Sequence, residues 1–227
     1  VTLYTYSRED GDFHAENIRI GNGEIIFDYI SPFGNIKNIQ LGVPVAINIE
    51  NGIAAMALAQ ISGASNDEIK AAMASFKGVD RRFDFKIKND KVVLLSDYAH
   101  HPEEIKQSIL LMRALYKDKK ITGIFQPHLY TRTRDFYKEF ADSLSLFDEV
   151  YLVDIYPARE LPIEGITSQL IADNMKSGIC KAVISLKQVP QIVESIKDTT
   201  EVLVTVGAGD LENYVPQIVE ILKTKKR

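Results

Sequence analysis

Apolar and polar positions divide this 227-residue chain into two regions of different rhythm. Up to about residue 47 the apolar positions partly alternate, which predicts half-buried strands over residues 17–20, 24–30 and 36–41. Gly21-Asn22-Gly23 supplies a hairpin turn and Ser31-Pro32-Phe33-Gly34 a looser one. An alanine-rich run at 53–61 has the composition of a helix and is closed by Ser62-Gly63. Ser65-Asn66-Asp67-Glu68 opens a second helix, with Ile69, Met73 and Phe76 spaced to share one face. Past Lys77-Gly78-Val79-Asp80 the pattern becomes regular. Short apolar runs at 83–88, 91–95, 121–125, 150–153, 182–186 and 202–206 read as buried strands. Between and after them lie helical patterns near 103–116, 133–146, 167–176, 188–197 and 211–222. The first two runs make a hairpin about Asn89-Asp90, and the remaining alternation predicts a mainly parallel, doubly wound α/β sheet covered on both faces. The expected division is 1–78 and 79–227.

This layout fixes where the polar motifs fall. Ser96-Asp97-Tyr98-Ala99-His100-His101-Pro102 follows the run at 91–95, and Glu103 and Glu104 then fill the first turn of a helix. Gln126 to Arg134 follows the next parallel strand, Asp154 to Glu160 the one after, and Gly207-Ala208-Gly209-Asp210 the last. Four loops therefore converge on the carboxyl edge of one sheet, where open α/β sheets bind ligands. As a GxG without a third glycine, Gly207 to Asp210 reads either as a tight turn or as backbone N–H groups aimed at an anion. No Cys/His spacing suggests zinc.

Asp97-Tyr98-Ala99-His100-His101-Pro102 resembles the DYAHHP signature of the Mur ligases. Phe125-Gln126-Pro127-His128-Leu129-Tyr130-Thr131-Arg132-Thr133-Arg134 is similar to the same family's FQPHRYTRTR, with Leu129 where the family commonly has Arg. Val79-Asp80-Arg81-Arg82-Phe83, Asp154-Ile155-Tyr156-Pro157-Ala158-Arg159-Glu160 and Gly207-Ala208-Gly209-Asp210 match in family order. The resemblance implies a Rossmann-like terminal domain over 79–227, preceded by strands and two helices from the end of the central ATPase domain over 1–78. It also implies an ATP-dependent amide ligation through an acyl phosphate, with Mg²⁺, in peptidoglycan biosynthesis. Within the family, the TRTR run and the Tyr-Pro-Ala-Arg-Glu stretch favour the member that joins L-alanine to UDP-N-acetylmuramate. The rival is the one that attaches a recycled tripeptide to the same sugar nucleotide.

Site roles follow from the resemblance residue by residue. Asn48 and Asn51 match an HNxxN element that binds adenine, with Ile47 in place of the family's His; a plain helix cap is the alternative for Asn48. Arg82 is carried over as a contact to ATP phosphate and Asp97 as a contact to ribose, so that domain closure would complete the nucleotide site. Tyr98, His100, His128 and Arg132 match positions near the amino-acid substrate. Arg132 is expected to grip the alanine carboxylate bidentately. His100 either orients the amine or accepts its proton, and His128 is either a ligand or a structural hydrogen-bonder. No metal ligand is assigned. Because no Gly-Lys-Ser/Thr triplet occurs, there is no P-loop. The expectation is a carboxyl-terminal fragment, inactive by itself and completed by amino-terminal domains of the same protein.

Composition alters this little. Hydrophobic content of 45% and charged content of 26% suit a soluble globular protein, and a net charge of −4 argues against a nucleic-acid surface. Only Lys223 to Arg227 is basic, as a solvated tail would be. Cys180 is alone, which fits a reducing, cytoplasmic setting, and its place at the start of an apolar run predicts a buried core thiol. No run is long enough to span a bilayer. A receiver-like signalling module, with Asp97 and Lys187 after strands, would leave Asn48 to Asn51 and the TRTR run without a purpose. A dinucleotide-dependent dehydrogenase lacks a complete GxGxxG.

Overall fold

The structure, a computed structural model, describes residues 2–78, 80 and 82–225. Val1, Lys226, Arg227 and two residues of the expected junction and family motif, Val79 and Arg81, lie outside the described residues. Two compact units are present: Val1–Val79 with Ala114–Lys117, and Asp80–Arg113 with Asp118–Arg227.

In the first unit, β1 (His14–Gly21), β2 (Glu24–Ile30) and β3 (Ile36–Gln40) form an antiparallel meander. Alternation in β2 sends Ile25, Phe27 and Tyr29 into the core. Helices α1 (Ile47–Ile61) and α2 (Asn66–Ser75) contribute Ile49, Ile53, Met56 and Ile69 to the buried set. The helix opens at the expected Ser65, which makes a reciprocal capping box with Glu68. Two expectations need correction. The first helix starts at Ile47, ahead of the alanine-rich run, because burial of Ile49 and Ile53 extends its apolar face backwards; Asn48 is inside the helix and Ala46 is its N-cap. Phe76 does not share the face of Ile69: it follows α2 in extended conformation and is 55% exposed.

The second unit is a six-stranded sheet in the order β4-β5-β9-β6-β7-β8. Its strands are β4 (Asp84–Lys88), β5 (Val93–Asp97), β6 (Ile121–Phe125), β7 (Glu149–Val153), β8 (Cys180–Ile184) and β9 (Val202–Val206). Only β4 runs antiparallel to its neighbour, through the expected hairpin with β5. Its helices are α3 (Pro102–Leu115), α4 (Tyr130–Leu144), α5 (Ser168–Asn174), α6 (Val189–Ile196) and α7 (Val215–Lys223). Leu94, Ile124, Leu203 and Val153 cluster with Val189 and Val193 of α6 and Ile218 and Leu222 of α7. Phe125, pointing the other way from Ile124, meets Phe140 of α4, and Ser143 of α4 bonds the Pro102 carbonyl at the start of α3. The helices thus cover both faces.

Three differences from the expected elements stand out. α4 begins at Tyr130, so the TRTR run forms its first turn instead of leading into it. The glycine loop opens a 3-10 turn over Asp210–Tyr214, and α7 follows only at Val215. Cys180 is exposed, not buried, because β8 is the edge strand and only its last residue, Ile184, is buried.

Candidate active site at the carboxyl edge of the sheet

In the strand order β9 stands between β5 and β6, yet β5 and β6 lead into α3 and α4 on one face while β9 leads into α7 on the other. Diverging connections at adjacent strand ends leave the crevice in which sheets of this kind bind ligands. Its floor is stitched by the Gly207 N–H donating to Asp97 O at 3.1 Å and the Gln126 N–H donating to Val206 O at 3.0 Å. Gly207 has φ +133° and a side-chain carbon there would lie 2.5 Å from Gln126 O; one at Gly209 would collide with the Gln126 amide oxygen.

Gln126 is a residue to which sequence reasoning gave no role. It is 3% exposed, its Oε1 accepts the Leu211 N–H at 2.8 Å, and its Nε2 donates to Asp154 O at 3.4 Å. One buried amide therefore ties the loops after β6, β7 and β9. The available signal was a polar amide directly after a mostly apolar strand. Its bond to Leu211 also means that the N–H just after the glycine segment serves the fold and not an anion.

Asp97 ends β5 half-buried, and accepts the Phe83 N–H at 3.3 Å. Burial pushes its carboxyl above the usual range, and hydrogen bonds pull it partway back. Arg82, exposed, directly precedes Phe83 and so stands in sequence beside the residue that meets Asp97. Asn48 and Asn51 lie on α1 of the other unit; Asn48 Nδ2 donates to Val43 O at 3.2 Å, and Asn51 is exposed.

The amino-acid candidates assemble as a column of rings. Tyr98 and His100 have centroids 5.4 Å apart, His100 and His128 6.2 Å, and His128 and Tyr156 5.5 Å with nearly parallel planes. Tyr156, not anticipated as a site residue, comes from the loop after β7 and forms a parallel bridge with His128. His100 Nδ1 lies 3.0 Å from Tyr98 O, which it reaches as a donor. The backbone N–H groups of His100 and His101 both donate to Glu104 Oε2, at 3.0 and 3.2 Å. Burial acts to raise the Glu104 carboxyl, but these two amides together with the two histidine rings outweigh it and hold the group below its ordinary range. His101 faces elsewhere, its ring 5.1 Å from Phe136 at a break in the helical geometry of α4. Only the first histidine of the pair joins the column.

Arg132 Nη1 is 3.4 Å from His128 Nδ1. Burial, then the charge of Arg132 and of His100, push His128 below the usual imidazole range, against an opposing pull from Glu160. A neutral His128 therefore presents a lone pair to the guanidinium, and Arg132 keeps its full charge at the crevice. The site brings together Asp97, Tyr98, His100, His128 and Arg132. Among the described residues no group of three His, Cys, Asp or Glu side chains is arranged to hold a metal ion.

Such an assembly defines an α/β domain whose chemistry, a carboxylate, imidazoles and a cation, is carried on strand-end loops and the first turn of a helix at a switch point. The family described as Mur ligase, glutamate ligase domain matches residues 81–210, more than half of the chain, and the chain belongs to the Mur ligase family. Over 225 residues it is 72% identical to the UDP-N-acetylmuramate–L-alanine ligase of Phocaeicola vulgatus, covering 99% of this chain and 49% of that protein. The crystal structure of UDP-N-acetylmuramate-alanine ligase MurC from Thermotoga maritima superposes with a TM-score of 0.76 at 25% identity, over 98% of this chain and 48% of that one. MurF ligase from Thermotoga maritima, solved in complex with ADP, shares the fold at a TM-score of 0.65 and 18% identity, over 96% of this chain and 48% of that chain. The chain spans about half the length of the curated relatives it matches.

Proposed function

We propose that this chain supplies the amino-acid-binding portion of an ATP-dependent ligase that joins L-alanine to UDP-N-acetylmuramate in the cytoplasm, as a step of peptidoglycan synthesis. The observation that carries the reading is the Arg132 guanidinium set beside a neutral His128 within the column Tyr98–His100–His128–Tyr156. High identity to a relative of that name supports the choice of L-alanine over a tripeptide.

ATP supplies the phosphoryl group that turns the sugar-nucleotide carboxylate into an acyl phosphate with a good leaving group. This chain's residues then serve the amine. Arg132 holds the alanine carboxylate through its planar fork. His100, with Nδ1–H committed to Tyr98 O, offers Nε2 to the proton that the alanine ammonium must lose before its amine can attack. Asp97 at the crevice gives acceptors of the kind a ribose diol needs, and Arg82 a cation suited to phosphate oxygens; Asn48 and Asn51 offer amides to a purine edge. A fold relative solved with ADP agrees with a nucleotide in this family. Mg²⁺ belongs to the same reading, but with no metal-holding cluster among the described residues no step is assigned to this chain's side chains through it. Without a phosphate-binding loop the 227-residue chain alone is expected to turn over no ATP.

The test is Arg132→Lys in the full-length ligase that carries this segment. The charge stays and the fork is lost, which removes a charge-assisted hydrogen bond worth about 1.5–3 kcal/mol. The alanine KM is expected to rise on the order of ten- to a hundredfold, while the sugar-nucleotide KM and acyl-phosphate formation hold. An alanine KM within about twofold of wild type, at the scale of about 1.4 kcal/mol per decade, refutes the assignment.

A further inference from the structure

Helix α4 delivers Arg132, yet the sequence provides no cap of its own for that helix. Its N-cap is Leu129, which has no side chain able to accept a backbone N–H and no side-chain cap bond. Leu129 also sits at φ +73°, a conformation that costs a branched side chain free energy unless neighbours enforce it. What serves the helix end comes from 29 residues further along. Glu160, in the loop after β7, takes the Thr131 N–H on Oε2 at 2.9 Å and the Thr131 hydroxyl on Oε1. The Thr131 hydroxyl and N–H hold the Glu160 carboxyl below the usual range. A carboxylate at this end is favoured by the helix dipole as well.

The same two loops are pinned twice more. Leu129 N–H donates to Tyr156 O at 2.9 Å, and Tyr156 N–H donates to Pro127 O at 2.8 Å. On the Glu160 side, the turn closes by its N–H donating to Pro157 O at 2.9 Å, with Ala158 at φ +50°. Each of the two loops joined by these reciprocal bonds thus carries one non-glycine residue in left-handed backbone. Strain kept in place on both sides of a junction indicates that the junction's geometry is over-determined. Arg132 stands in the first turn of α4 that follows, and its partner His128 lies in the loop just before the helix, bridged to Tyr156.

We propose that Glu160 is a positioning residue: a cap borrowed from the neighbouring loop that sets the first turn of α4, and through it the Arg132 guanidinium beside His128. Its effect on substrate rests on the ligase reading above; its effect on the placement of Arg132 does not. A purely structural cap would stabilise α4 and leave the site geometry to other contacts. Glu160, instead, bonds the residue adjoining Arg132 and is one of the charges felt by His128.

The experiment compares Glu160→Ala and Glu160→Gln with Thr167→Val, which removes the side-chain cap of α5, a helix bearing no site residue. In the labelled 227-residue chain, the Arg132 Nε–H and His128 ring resonances are expected to shift in Glu160→Ala, shift less in Glu160→Gln, and stay put in Thr167→Val. In the full-length ligase, misplacing the cation should raise the alanine KM on the order of tenfold, with the sugar-nucleotide KM and kcat held. Unmoved Arg132 and His128 resonances in both Glu160 variants overturn the proposal. So does an unmoved alanine KM when the resonances shift. If Glu160→Ala fails to fold, Glu160→Gln decides by the same criteria. A wild-type ligase with no alanine-dependent turnover would remove the ligase reading and the substrate half of the proposal, while the resonance shifts would still judge the placement of Arg132.

Discussion

Replacing Gln126 by Leu tests whether one buried amide holds the crevice together. Leucine nearly matches glutamine in volume, so little cavity is left and the change is chiefly the loss of polar partners. The Leu211 N–H, which now donates to Gln126 Oε1 at 2.8 Å in a buried bond, would have no acceptor. An unsatisfied buried donor costs about 1–3 kcal/mol. The Nε2 bond to Asp154 O, at 3.4 Å and beside an exposed residue, is replaced by water at little cost. The expected loss is therefore about 2 kcal/mol, the middle of that range. For a domain of this size it lowers the thermal midpoint of the second unit by roughly 4–8 °C. Denaturant unfolding of the 227-residue chain gives the free energy, and hydrogen exchange at the Leu211 amide locates it. That amide should exchange about thirtyfold faster if its opening is uncoupled from global unfolding, at about 1.4 kcal/mol per decade. A stability change under about 0.5 kcal/mol, with Leu211 still protected, would refute the reasoning.

Three further outcomes follow from the same geometry. Asp97→Asn is expected to stabilise the chain at pH 7: burial raises the folded carboxyl above its unfolded value of about 3.9, so the charged form costs stability at higher pH. The gain should fade as pH falls below about 4, and no rise in thermal midpoint at pH 7 counts against it. His128 should titrate below its unfolded value of about 6.5, so stability falls as pH drops from there through its folded pKa. His128→Gln should flatten that limb, and an NMR midpoint at or above about 6.5 contradicts it. Cys180, exposed on the edge strand, should react with an aromatic disulfide reagent in the folded chain at a rate that denaturant raises only a few-fold; a reaction that needs unfolding would show the thiol to be covered.

Much of the candidate site was legible because strand–helix alternation is a local signal with a non-local consequence. Once the runs at 91–95, 121–125, 150–153 and 202–206 read as parallel strands, every loop at their carboxyl ends had to fall on one edge. Asp97, His100, His128 and Arg132 were located by that reasoning, and their residue types already indicated anion and proton chemistry. The hairpin of β4 with β5 and the helix start at Ser65 were equally readable, since each depends on residues a few positions apart.

Tertiary structure alone decided what those residues touch. The exposure of Cys180 depends on β8 being outermost in the order β4-β5-β9-β6-β7-β8, and its own apolar neighbours carry no information about strand order. Which of the adjacent imidazoles enters the ring column was undecidable from the pair; His100 meets His128 across 28 residues, whereas His101 turns to Phe136. The partners of Gln126 and Glu160 were hidden in sequence for the same reason, each bonding groups on other loops at long separation. Periodicity, caps and turns are set by forces acting over a few residues, so the chain by itself determined its elements and the edge on which its chemistry lies. Bonds between loops exist only after the sheet has aligned its strand ends, and so the fold decided how Arg132 is held.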